Sequence, residues 1–146
     1  MSILPGIFYN AILVSAVTAW FIAQLLKVAV NLSLLRKLDF QLLFSSGGFP
    51  SSHSATVSAL ALGIGKYYGW ESPIFAVSAV YGMVVLYDAA GVRRAAGKQA
   101  EVLNQLVERL SQGSDLAQER LKELIGHTPF EVFGGVLVGI IVGLLL

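Results

Sequence analysis

Apolar runs long enough to cross a lipid bilayer dominate this sequence and leave few folds open to it. A spanning helix needs roughly 20 mainly apolar residues, and four stretches approach that length, at about 7–30, 54–69, 73–92 and 129–146. Only 13% of the residues are charged, where a soluble domain carries about 25%. The first stretch has Asn10, Gln24 and Lys27 as its only strongly polar residues. No Lys or Arg precedes Ile7, and the run exceeds the ~7 to 15 residues of a secretory signal, so it reads as a retained helix. The second is short, rich in Ala and Gly, and closes on Tyr67, Tyr68 and Trp70 like an interfacial aromatic belt. Ser72-Pro73 and Thr128-Pro129 read as caps followed by proline at the first helical position, opening the third and fourth. The expected fold is all-α: one membrane-embedded domain over 1–146 with about four transmembrane helices.

Charge is concentrated between the third and fourth spans. Val102, Leu103, Leu106, Val107 and Leu110 recur at helical spacing, as do Leu116, Leu121, Leu124 and Ile125 after a break at Gly113-Ser114. Two amphipathic helices are expected over about 97–125, lying on the membrane surface, packed over the bundle or forming a solvated hairpin. Nine of the ten basic residues fall either around the end of span one (Lys27, Arg36, Lys37) or between spans three and four, and only Lys66 falls on the other side. That asymmetry predicts a cytoplasmic location for both regions, the amphipathic segment included, with the two termini opposite. Gly135, Gly139 and Gly143 repeat every four residues, as do Gly65 and Gly69, and form smooth faces for close packing that suit a homo-oligomer. A net charge of +1 is too small to drive nucleic-acid binding. The absence of cysteine excludes disulfides, a thiolate nucleophile and Cys-based zinc sites.

Both histidines stand at helix starts. His53 lies in the small-residue loop Ser45-Ser46-Gly47-Gly48-Phe49-Pro50-Ser51-Ser52-His53-Ser54, which leads into span two. Paired glycines turn backbone N–H groups toward a ligand, and a helix N-terminus adds unsatisfied donors and a positive dipole end, so a phosphate fits there. The bland alternative is a glycine turn with serine caps. His127 holds the equivalent place before span four, where the helix dipole favours neutral imidazole, able to act as nucleophile or base. Glu131, four residues on, can orient it. Thr128 and Glu131 also form a capping-box pattern, and both roles are compatible. Gln24, Lys27 and Asn31 share one face of the first helix. Asp88, near the end of span three, needs a partner such as Lys27, Arg93 or Arg94; an ion pair is the simpler role, metal binding or arginine positioning the sharper one.

These residues resemble the type 2 phosphatidic acid phosphatases, relatives of the vanadium-dependent haloperoxidases. Pro50-Ser51-Ser52-His53 is similar to the family's Pro-Ser-Gly-His motif, with Ser52 replacing glycine. His127 and Glu131 are similar to its final His and Asp four residues apart, with Glu replacing Asp. The closer resemblance is to a short, divergent branch, carried by Gly47-Gly48-Phe49-Pro50-Ser51-Ser52-His53-Ser54-Ala55 and Tyr87-Asp88-Ala89-Ala90-Gly91-Val92-Arg93-Arg94 and extending from about Lys27 to the C-terminus. The family's first motif ends in Arg-Pro, whereas here Lys27, Arg36 and Lys37 occur without the proline. Leu121 stands where the family has an arginine six residues before the second histidine.

The resemblance implies a lipid phosphatase acting on a phosphomonoester or diphosphate through a phosphohistidine. In that scheme His127 attacks phosphorus, Glu131 orients it, and His53 protonates the leaving oxygen and then activates water. Lys27, Arg93 and Arg94, together with N–H groups around Gly48, Ser51 and Ser52, would hold the phosphoryl group, with Asp88, Asn31 and Arg36 in support. No cofactor is required, although a divalent metal on Asp88 and nearby carboxylates is an alternative. A second alternative is a non-catalytic lipid-binding or assembly protein that keeps the fold. The partners expected are membrane lipids, a lipid phosphate and a second copy of the chain.

Overall fold

The computed structural model describes residues 9–36, 47–110 and 126–146, and all regular structure among them is helical. We label the helices α1 (Ala11–Leu35), α2 (Ser52–Tyr68), α3 (Pro73–Tyr87), α4 (Arg93–Leu110) and α5 (Pro129–Leu145), with a π-helical turn, Asp88–Val92, joining α3 to α4. The start of span one at Ile7, Ser45 and Ser46, Lys37, Arg120, Lys122, the break at Gly113-Ser114 and the amphipathic stretch from Leu116 to Ile125 lie outside the described residues. So do the side chains of Arg93, Arg109 and Leu110.

Local chemistry sets the helix starts. Asn10, Ser51, Ser72 and Thr128 each use a side-chain oxygen to accept a backbone N–H of the first turn, and proline opens both α3 and α5. α1, at 25 residues, is long enough to cross a bilayer. At 17 residues each, α2 and α5 are about 25 Å long and slightly short of the hydrocarbon thickness. α3 continues through the π turn into α4 as one helix. The sequence reading ends span three at about residue 92 and begins an amphipathic helix at about 97. The helix runs through the residues between, because Ala89 to Ala96 contain no proline and a single glycine, which a helix tolerates.

The core of this helical membrane bundle is built from small residues. Ala19 and Ala23 of α1, Ala55 and Ala59 of α2 and Val142 of α5 form its centre, flanked by Ile22 and Val138. Between α2 and α5 the spacing is close enough that a methyl on Gly135 would meet the Ser51 carbonyl and Ser54 Cβ. One on Gly139 would meet the Ala55 carbonyl and Ser58, and one on Gly143 would meet Leu62 and Ala59. Both residue numbers rise together along this contact, so α2 and α5 run parallel and start at the same end. α1 runs antiparallel to them, with Ile12 against Gly63 and Lys27 against Gly48. The glycine stripe expected to serve assembly between copies is therefore filled from within the chain, and Gly65 is likewise covered by Trp70. Close backbone approach is the main attraction open to membrane helices, since lipid removes the hydrophobic drive between them. At the far end, Lys66 Nζ donates to the carbonyls of Gly143 and Leu144 at 3.0 and 3.2 Å and satisfies the last turn of α5.

Candidate active site

Parallel packing brings two helix N-termini together, and each carries a histidine. α2 begins at Ser52, so His53 lies within its first turn. His127 directly precedes Thr128, the cap of α5. Two contacts join these ends: the Ser51 N–H donates to the Glu131 carbonyl at 2.9 Å, and the Phe49 and Phe130 rings stack with centroids 5.0 Å apart. The imidazole centroids of His53 and His127 are 6.2 Å apart, close enough for both rings to touch one phosphoryl group. Both helix dipoles present their positive ends here, which favours an anion.

His127 is 2% exposed and held from two directions. Its backbone N–H donates to the Ala89 carbonyl at 3.0 Å. Ala89 belongs to the π turn, whose wider winding shifts the i→i−4 ladder and presents that carbonyl to a group outside the helix. On the side chain, Nδ1 lies 3.0 Å from Glu131 Oε2. The same oxygen accepts the Thr128 N–H at 3.2 Å, while Thr128 Oγ1 accepts the Glu131 N–H at 3.3 Å. A carboxylate only accepts, so Nδ1 is the donor in this contact and carries a proton. The capping box and the orienting contact thus share one carboxylate, as the sequence permits.

Lys27 reaches this end from α1, 2% exposed despite its charge. Its aliphatic stem lies over Gly48: a Cβ there would sit 3.2 Å from Lys27 Cγ and Cδ, and the glycine has φ +97. Position 48 therefore needs glycine twice, for its backbone conformation and for the lysine's passage. Beyond it, the Lys27 ammonium interacts electrostatically with the Glu131 carboxylate.

The remaining expected residues divide by location. Ser51, Ser52 and Ser54 are buried; Ser51 Oγ accepts from the Ser54 N–H and hydroxyl, at 3.3 and 2.9 Å. The Ser51 N–H, expected to face a phosphate, is instead spent on the Glu131 carbonyl, because joining the two helix ends uses that donor. Asp88 and His53 border one cavity together with Thr56. Asn31 is partly buried one turn beyond Lys27 on α1. Arg36 is exposed; it caps α1 in the left-handed conformation, its N–H donating to Leu32 at 3.0 Å. Arg94 is exposed at the start of α4. Among the described residues no three His, Asp or Glu side chains form a metal-holding group. The Ala89 carbonyl and Thr56 escape sequence reasoning; Thr56, three residues after His53 on the same helix face, had a detectable signal, and a backbone carbonyl has none.

Comparison with known proteins gives the family of the chain. The chain is 44% identical to the uncharacterized membrane protein YuiD of Bacillus subtilis (strain 168), over 94% of each sequence. No solved structure matches it. The sequence profile described as the divergent PAP2 family matches residues 8–142, and with nearly the whole chain covered, the protein belongs to that family.

Proposed function

We propose that the protein is a membrane-embedded lipid phosphate phosphatase working through a phosphohistidine. The observation that carries this reading is the pairing of buried His127 with Glu131, 3.0 Å between Nδ1 and Oε2, beside His53 at the joined starts of α2 and α5. His127 Nε2 attacks phosphorus while the bond to the lipid oxygen breaks, and protonated His53 supplies the proton to that oxygen. Neutral His53 then takes a proton from water as the water attacks the phosphohistidine, releasing inorganic phosphate and restoring both rings. Lys27 and the two helix ends offset the charge on the phosphoryl oxygens. Arg93 and Arg94, adjoining the π turn, are the guanidinium donors assigned to the same task. From the distribution of basic residues we place this end of the bundle in the cytoplasm, with the start of α1 and the end of α5 opposite.

The test is phosphate release by the purified protein in detergent from a panel of lipid phosphates, for wild type, His127→Ala and His53→Ala, with and without chelator. The expected result is activity in the wild type alone, unaffected by chelator. Loss in chelator would replace this scheme with a metal-dependent one. Equal inertness of all three proteins would favour a lipid-binding or assembly role.

A further inference from the structure

His127 finds its carboxylate one helix turn away, whereas His53 has no acidic residue within four positions on either side. A carboxylate that serves His53 must come from another element, and the fold brings Asp88 to it. The short turn between Tyr68 and Pro73 makes α2 and α3 antiparallel. His53 stands fifteen residues before the end of α2 and Asp88 fifteen after the start of α3, which sets the two at one height. The next residue, Ala89, accepts the His127 N–H at 3.0 Å, and the His127 ring is 6.2 Å from that of His53, so the end of α3 is fixed against the same pair of histidines. His53 is exposed and borders one cavity with Asp88. The other polar side chains on this cavity are Thr56, Trp20 and Tyr81. Thr56 Oγ1 gives its proton to the Ser52 carbonyl at 2.8 Å. Tyr81 lies seven residues before Asp88 and Trp20 seven before Lys27, each two turns or about 10 Å deeper in the bundle. A carboxylate at the end of an apolar helix requires a donor, and on this cavity His53 is the donor at its level.

We propose that Asp88 is the positioning residue of His53: its carboxylate accepts one ring N–H and aims the other at the leaving oxygen. This rests on the phosphatase reading and adds a second histidine–carboxylate pair to it, built across two helices instead of within one turn. Glu131 cannot serve both rings, because its charge is already shared among His127, the Thr128 N–H and Lys27. The starts of α2 and α5 and the Lys27 ammonium all bring positive charge to this end, and a carboxylate on the cavity side offsets it where the acid must hold its proton. In the first step that proton passes from His53 to the oxygen as the phosphorus–oxygen bond breaks and the bond from phosphorus to His127 forms. In the second, the same nitrogen takes a proton from the attacking water. Asp88 keeps its own hydrogen bond throughout, so the ring need not turn between the steps.

Leaving-group dependence separates this role from a structural one. Asp88→Asn should lower kcat/KM about 100-fold on a long-chain alkyl phosphate, whose alkoxide needs a proton to leave, and about threefold or less on a nitrophenyl phosphate carrying the same tail, whose phenolate does not. Asp88→Glu keeps the carboxylate and should recover part of the loss. Adding Asp88→Asn to His53→Ala should slow the alkyl substrate no further than His53→Ala alone, because residues acting as one unit are not additive. Equal losses on both substrates would move Asp88 to an arginine that holds the phosphoryl group, and unchanged rates would leave it no part in the reaction; either overturns the proposal. The pairing is also read without turnover. Proton NMR of the protein in detergent should show a low-field ring N–H signal that disappears in His53→Ala and in Asp88→Asn, and its absence from the wild type or its persistence in Asp88→Asn would overturn the pairing. Should no compound release phosphate, the phosphatase reading falls, while a signal lost in both variants still upholds the contact between Asp88 and His53.

Discussion

α3 and α2 invert the relation between apolarity and burial that holds in water. α3 is rich in Val, Ile, Tyr and Met, yet buries only Ser78 and Gly82, with Val77 and Met83 nearly 70% exposed. α2 is less apolar and buries Ser52, Ser54, Ala55, Val57, Ala59, Gly63, Ile64 and Gly65. Lipid accepts a valine as readily as a protein interior does, so large apolar side chains gain little by turning inward. Small and polar groups gain close backbone contact and hydrogen bonds. The inner pair, α2 and α5, consequently brings the two histidines together at its starts, and the outer helix turns its large apolar side chains to lipid.

The contrast breaks most severely at the inner interface. Gly135→Val drives a side chain into the Ser51 carbonyl, which cannot rotate away. The expected cost is on the order of 3 kcal/mol or more, seen as a large drop in thermal midpoint or as aggregation on size-exclusion chromatography. A native-like melt would show that α2 and α5 do not pack as described. Next in size is Glu131→Gln, which keeps a side chain able to complete the capping box but removes the charge that orients His127. Phosphate release should fall by about 100-fold or more, with the melting temperature nearly unchanged; parallel loss of both would reduce Glu131 to a capping role. The smallest effect belongs to the outer helix, where a Cβ on Gly82 meets nothing within 4 Å. Gly82→Ala should stabilise by roughly 0.5–1 kcal/mol through reduced chain entropy, and a destabilised melt would mean that the space beside this buried glycine is filled.

Local signals in the chain were reliable guides to local structure. Ser72-Pro73 and Thr128-Pro129 begin helices because side-chain oxygens and proline act on their own first turns. The His127–Glu131 contact is an i,i+4 pair beside a cap, also decided within one turn. Lys27 was legible as a buried cation, since a charge within an apolar helix must face the protein interior. The passage of its stem over Gly48 was not, because nothing in either segment encodes the distance between them. Nor was the π turn: Asp88–Val92 reads as ordinary helix, and its altered winding has meaning only with the His127 N–H beside it.

By itself, then, the sequence determined where membrane helices form, where two of them start, and that each start carries a histidine. Those properties depend on hydropathy and on contacts within a few residues. Only the tertiary structure decided that α2 and α5 lie parallel with both histidines at one end, that the glycine stripe is filled by α2, and that His53 rather than His127 borders the apolar cavity. The physical reason is that glycine permits close approach without specifying a partner, and the partner is set by which helix fits backbone against backbone along the whole contact.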